Sequence, residues 1–254
     1  MNPSLQAARW ILLLLLGAHN WRPIAAQVAA PATRPAELTL EEIVNNLVQR
    51  NAERAETLAA FRGTRVYRLE YSGFPNSRSA EMVVDVKYQS PATKVFTIRS
   101  STGSKLIIEK VFNKLLQSEK DSIAPENQNR IALNKVNYSF GLVARERTLA
   151  GSCYVLSVEP RTTNKLLYRG RIWVDATDFA VTRIEATPAK SPSFWIKDTN
   201  IEHVYMKVGD FWLPSSNYTI SNTRLGGRAL LTINYITYEL TPALARSKET
   251  LAGH

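Results

Sequence analysis

The chain has 254 residues, 44% of them hydrophobic, and a formal net charge of +10 at pH 7. That length suits one domain with a sizeable core, and a lone cysteine, Cys153, excludes an intrachain disulfide framework. A basic balance admits nucleic acid or an anionic membrane surface as a partner, but the cations are scattered (Arg65, Arg68, Lys87, Lys94, Arg99, Arg171, Arg183) and read as solvated surface.

The chain opens on Arg9 and the apolar run Trp10 to Leu16, followed by Pro23, Ile24, Ala25 and Ala26. A positive flank, a short apolar run and small residues at a cleavage point make a secretory signal peptide over residues 1–26. The run is too short to cross a bilayer as a helix, which needs roughly 20 residues. Cleavage after Ala26 removes Arg9 and Arg22 and no acid, so the net charge falls by two, from +10 to +8. Export argues against nucleic acid as a partner. No cysteine stands near the cleavage point to carry a lipid anchor. Residues 27–37 are rich in Ala and Pro and read as a linker, 38–245 as one domain, and 246–254 as a disordered tail.

Thr39 begins a helix, with Glu42 completing a capping box and Leu38 placed to staple Ile43. Leu40, Ile43, Val44, Leu47 and Val48 make one apolar stripe. The stripe thins at Asn51, Ala52 and Ala55, so the helix, running to about Ala60, is either a cover that lifts at its C-terminal end or a fixed structural helix. From Phe61 the period becomes two. Tyr67, Leu69 and Tyr71 alternate with charges, as do Met82, Val84, Val86 and Tyr88, and Val95 to Ile98 follow Ser90-Pro91. After Gly103-Ser104, helical spacing returns at Ile108, Val111, Phe112, Leu115 and Leu116, then a polar stretch runs to Asn134. Strands resume at Asn137 as hairpins around Ala150-Gly151, Ala176-Thr177, Gly209-Asp210 and Gly226-Gly227. The fold class is mainly β (α+β), with about ten antiparallel strands and two helical segments.

Catalytic chemistry has little to stand on. Past residue 26 the histidines are His203, inside a strand pattern, and the terminal His254. Metal-ligand spacing, a phosphate loop and a nucleophile elbow are missing. Asp175 and Asp178 flank a turn, where Asp bonds its own backbone. Cys153 reads as a buried thiol. Neither an enzyme, a cofactor nor a metal is expected. The sequons at Asn137 and Asn217 read as chance.

Three stretches carry a resemblance. Gly170-Arg171-Ile172-Trp173-Val174-Asp175 leads to Asp178-Phe179-Ala180-Val181-Thr182-Arg183-Ile184, then Val208-Gly209-Asp210-Phe211-Trp212-Leu213-Pro214, and the domain closes on Tyr235-Ile236-Thr237-Tyr238. With the capped helix and helical insertion, these resemble the outer-membrane lipoprotein-sorting proteins of the LolA-like superfamily. The resemblance implies a strongly curved antiparallel sheet forming an unclosed β-barrel, with the N-terminal helix and the insertion over the open side. It further implies a periplasmic carrier that binds acyl chains of lipoproteins or lipids, for transfer toward the outer membrane. The alternative is a periplasmic sensor or scaffold that binds a protein partner. Transient contact with membrane proteins or an anionic membrane surface fits either.

Strand parity names the interior. Tyr67, Leu69, Met82, Val84 and Val86 share one face, Phe96 and Ile98 share theirs, and Ile108 and Phe112 lie one helical turn apart. These nine are the expected lining of a lipid-binding cavity. N-terminal sequencing of the exported protein should read from Gln27, with the protein in the periplasmic fraction. A retained Met1 on a membrane-bound protein would contradict the leader.

Overall fold

The computed structural model describes residues 37–148, 151–164, 166–191 and 193–242. The expected leader and tail, and all but the last residue of the linker, lie outside them. Helix α1, Leu40–Thr57, starts with the expected capping box: the Glu42 amide donates to Thr39 Oγ1, and the Thr39 amide donates to Glu42 Oε2 at 2.7 Å. Its Ile43, Val44 and Leu47 are buried. It ends three residues earlier than its helical pattern suggests. Leu58 turns extended, and Leu58 and Ala60 pair with Pro242 and Thr241. Partners on the neighbouring strand outweigh local helix propensity there.

Ten strands follow: β1 Leu58–Ser72, β2 Arg78–Gln89, β3 Thr93–Gly103, β4 Tyr138–Thr148, β5 Gly151–Pro160, β6 Tyr168–Asp175, β7 Val181–Pro188, β8 Ile196–Val208, β9 Phe211–Thr223 and β10 Arg228–Pro242. All pair antiparallel in one sheet, in the order β3-β2-β1-β10-β9-β8-β7-β6-β5-β4. The expected hairpins form. The pairing that hairpins do not announce is β1 with β10, which joins the two meanders from Phe61 opposite Leu240 to Ser72 opposite Arg228. β3 and β4 are left as the two edges, so the barrel is unclosed. Register shifts at Thr64/Arg65, Val83/Val84, Leu142/Ala144, Trp173/Val174 and Val204/Tyr205 bend the strands.

The insertion links those edges. It comprises α2 Lys105–Ile107, a π-helical stretch Ile108–Phe112, α3 Asn113–Ser122 and α4 Pro125–Ile131. Both helical elements pack on the same face of the sheet, over different halves. α1 buries Ile43, Val44 and Leu47 against Leu156, Ile172, Val174 and Ile184. The insertion buries Ile107, Phe112 and Leu116 against Tyr67, Met82, Val84 and Ile233.

α1 is tied at both ends, which favours a fixed helix over a lifting cover. At its start, Arg145 Nη2 donates to the Leu38 carbonyl at 2.8 Å. In its last turn, Arg54 donates to the carbonyls of Asp178 at 2.9 Å and Phe179 at 3.2 Å. Thin apolar area there is offset by these bonds, and the chain passes into β1 without a loop. Leu47→Ala should cost about 2–5 kcal/mol in chemical denaturation, because Leu47 is fully buried between α1 and the sheet. Asn45→Ala, on the exposed side, should stay within about 0.5 kcal/mol of the parent.

Candidate functional site

The register defines the covered face strand by strand. One continuous row of neighbours runs Leu156, Ile172, Ile184, His203, Asn217, Ile233, Tyr67 and Met82. Its two ends belong to the two apolar clusters. Its middle, on β8 and β9, is polar. Asn217 Nδ2 donates to His203 Nε2, and Thr219 Oγ1 donates to Asn217 Oδ1 at 2.9 Å. Burial lowers the His203 pKa and favours the neutral ring that accepts this bond. Around this polar stripe Ile201, Thr219, Leu231 and Tyr235 are only half-buried. The inner face therefore carries a seam between its two helical covers.

The nine residues expected to line a cavity divide unequally. Tyr67, Leu69, Met82, Val84, Val86 and Phe112 meet in one cluster and are buried, with Phe96 and Ile108 packed against it. Ile98 lies opposite Val84 but is exposed at the sheet edge. The buried six pack with Ile107 and Leu116 from the insertion.

Beside that cluster sits a charged group that the composition did not announce. Arg65 and Lys94, read from sequence as solvated surface, are only 4% and 10% exposed at their side chains. Arg65 Nη1 donates to both Glu119 oxygens at 2.9 Å, and Lys94 Nζ donates to Oε1 at 2.5 Å. The Arg65 guanidinium lies 4.6 Å from the Tyr235 ring centre, and Lys94 Nζ lies 5.8 Å from that of Phe61. Burial works to raise the Glu119 pKa, but Lys94 and Arg65 outweigh it and hold the carboxylate below its usual range. Burial pulls Lys94 down, against Glu119. Two cations share one acid, so the recess keeps a positive charge in excess. A signal for it existed. Arg65 has the strand parity of Tyr67 and Leu69, and Glu119 stands two helical turns after Phe112.

The resemblance motifs prove to be neighbours in space. Asp175 Oδ1 accepts from the amides of Thr177 and Asp178 at 2.9 and 2.7 Å, as a turn residue. Asp178 Oδ2 accepts from Trp212 Nε1 at 2.8 Å and Lys207 Nζ at 2.6 Å. With Arg54 on the Asp178 and Phe179 carbonyls, they clasp the β6–β7 and β8–β9 turns to the end of α1. Cys153 is buried, and burial pushes its thiol up. The Asn137 side chain donates to the Asn129 and Ala132 carbonyls. On the helix-free face a groove of about 850 Å³ is lined by Arg169, Arg171, Glu185, Glu202, Tyr218 and Ile220.

No family model matches the chain, and no curated protein matches it. Solved structures do. An outer membrane lipoprotein-sorting protein domain from Vibrio parahaemolyticus aligns at 11% identity and TM-score 0.38, over 80% of this chain and 94% of that one. A DUF1329 family protein from Desulfovibrio piger aligns at 12% identity and TM-score 0.39, over 81% and 94%. A LolA superfamily protein from Nitrosomonas europaea aligns at 11% identity and TM-score 0.32, over 82% and 96%. The fold itself is read from strand order and register: an unclosed antiparallel sheet with helices over one face.

Glu119→Gln should destabilise the protein by about 3 kcal/mol at neutral pH, since it leaves two buried cations without their acid. The lowered Glu119 pKa means its stabilisation is complete above the unfolded-state value near 4.5 and is lost as pH falls through the lower folded value. Denaturation midpoints measured from pH 7 down to pH 3 should therefore fall less steeply in the variant than in the parent.

Proposed function

We propose that the protein is a non-catalytic periplasmic carrier of acyl chains, from lipoproteins or lipids, exported by its leader for transfer toward the outer membrane. The observation that carries this reading is the half-buried seam over β8–β10 between the two apolar clusters. An acyl chain laid along it would bury its methylenes against Ile201, Leu231 and the Tyr67 side of the insertion's cluster. Each methylene removed from water contributes about 0.8 kcal/mol. In this reading eight of the nine residues named from the sequence, all but the edge-exposed Ile98, form the apolar wall, and the excess charge near Lys94 faces an acidic head group.

The second reading is a periplasmic sensor or scaffold for a protein partner. It is favoured by β3, an edge strand whose residues Thr97 to Gly103 are exposed and open to pairing with an added strand. Mass spectrometry of an organic extract separates the two. A carrier purifies with lipid; a lipid-free protein that never takes up a labelled fatty acid ends the carrier reading. Thr219→Trp, in the seam, should block lipid uptake without loss of stability. Leu69→Trp, in the insertion's cluster, separates a packed core from a cavity: a packed core loses about 1–3 kcal/mol by overpacking, whereas a cavity accepts the ring and loses lipid.

A further inference from the structure

Antiparallel strands place alternate turns at opposite ends of the sheet. At one end lie the segments 73–77, 132–137, 161–167, 189–195 and 224–227. Their sequences include Lys135, Arg161, Lys190 and Arg224, and no Asp or Glu. Lys105, at the start of α2, joins the same end, beside Gly103 opposite Ala80. The turns at the other end, 90–92, 176–180 and 209–210, contain Asp178 and Asp210 and no Lys or Arg.

Apolar exposure is divided the same way. Phe74, Val136, Leu166, Phe194, Trp195 and Leu225 project from the cationic end, with Phe194 74% and Trp195 59% exposed. Among the described residues, none of the large exposed hydrophobics lies in the turns of the acidic end. Exposure of any one of these would be ordinary; exposure of them all along one rim is not, and rims of this kind mark contact surfaces.

The rim is continuous. Gly73 meets the Gly227 backbone so closely that a Cβ on Gly73 would stand 2.4 Å from the Gly227 Cα. Arg224 donates through its amide to the Trp195 carbonyl at 2.9 Å and through Nε to the Phe194 carbonyl at 2.7 Å. Its guanidinium lies over the Phe194 ring, 5.2 Å from the centre. The Ala189 amide donates to the Leu167 carbonyl at 2.8 Å, and Arg161 Nε donates to the Lys135 carbonyl at 3.0 Å. Five segments thus hold their apolar tips and cations as one preorganised edge.

We infer that this rim docks the protein on an anionic lipid bilayer. Aromatic side chains with an apolar body favour the headgroup region, and cations alongside are drawn to acidic lipids. The five turn segments contain no Asp or Glu, and Lys135 alone among the cations named is paired with an acid of a neighbouring element, Glu41 of α1 at 3.2 Å. The attraction therefore rests on Lys105, Arg161, Lys190 and Arg224. The inference concerns the rim alone and stands apart from the carrier reading, which lipid extraction tests separately.

Vesicle co-sedimentation tests it, with the parent and all variants in the same N-terminal form. The parent should bind vesicles of phosphatidylethanolamine and phosphatidylglycerol, bind phosphatidylcholine vesicles far less, and lose binding as salt rises. Phe194→Ser with Trp195→Ser should weaken binding about tenfold or more while the circular dichroism spectrum stays that of the parent. Phe74→Ser with Leu166→Ser does the same on separate loops should the first pair fail to fold. Lys105→Ala with Lys190→Ala should weaken it about thirtyfold, the loss expected for two surface cations. Val143→Ser and Ile236→Ser, exposed in mid-strand, should leave it unchanged. Equal binding to neutral vesicles, no binding at all, or insensitivity to the rim variants would overturn the inference.

Discussion

A sheet of ten antiparallel strands presents one face of apolar side chains, and the described residues hold no second sheet to set against it. Everything else follows from hiding that face. Helix α1 hides the half made by β5–β7, and the insertion hides the half made by β1, β2 and β10. The topology makes the second cover unavoidable. Once β1 pairs with both β2 and β10, β3 and β4 become opposite edges, and the chain between them must travel from one edge to the other. Travelling on the apolar side buries Ile107, Phe112 and Leu116. Two short helical elements do not span ten strands, and the strands left between them carry His203, Asn217 and Thr219 where a core would carry aliphatics.

Polar groups inside a face built for burial must be satisfied. The His203–Asn217–Thr219 chain satisfies itself. Arg65, Lys94 and Glu119 do so across three elements, β1, β3 and α3, and fix where α3 lies over the sheet. A hydrophobic surface alone tolerates sliding; a guanidinium donating to both oxygens of one carboxylate does not. The insertion is therefore positioned by charge and held by apolar burial.

Much of this was legible from local pattern. The capping box, the strand parity, the hairpin turns and the helical insertion each depend on neighbours in sequence, and each appears where its residues are. Six of the nine interior residues named by parity meet in one cluster. The rest was not legible because it is not local. Nothing near Leu58 announces that Pro242 will pair with it and cut the helix short. Arg65 and Lys94 look like surface cations until the register brings them to Glu119. The motifs that carry the family resemblance, around Asp175–Phe179 and Phe211–Pro214, turn out to clasp two turns to α1. They mark the architecture, and the seam where a ligand would lie has no motif at all.

The pairing of β1 with β10 has a consequence in time. The second meander can begin to zip onto the first only when the chain reaches Arg228, opposite Ser72, and it finishes only at Pro242, opposite Leu58. Contacts of such separation are slow to close, since the loop entropy is lost before the contact repays it. Until then α1 and the insertion each have only part of a sheet to cover. The two meanders therefore form apart, each with one unpaired flank, and the single sheet exists only after the last strand has docked between β1 and β9.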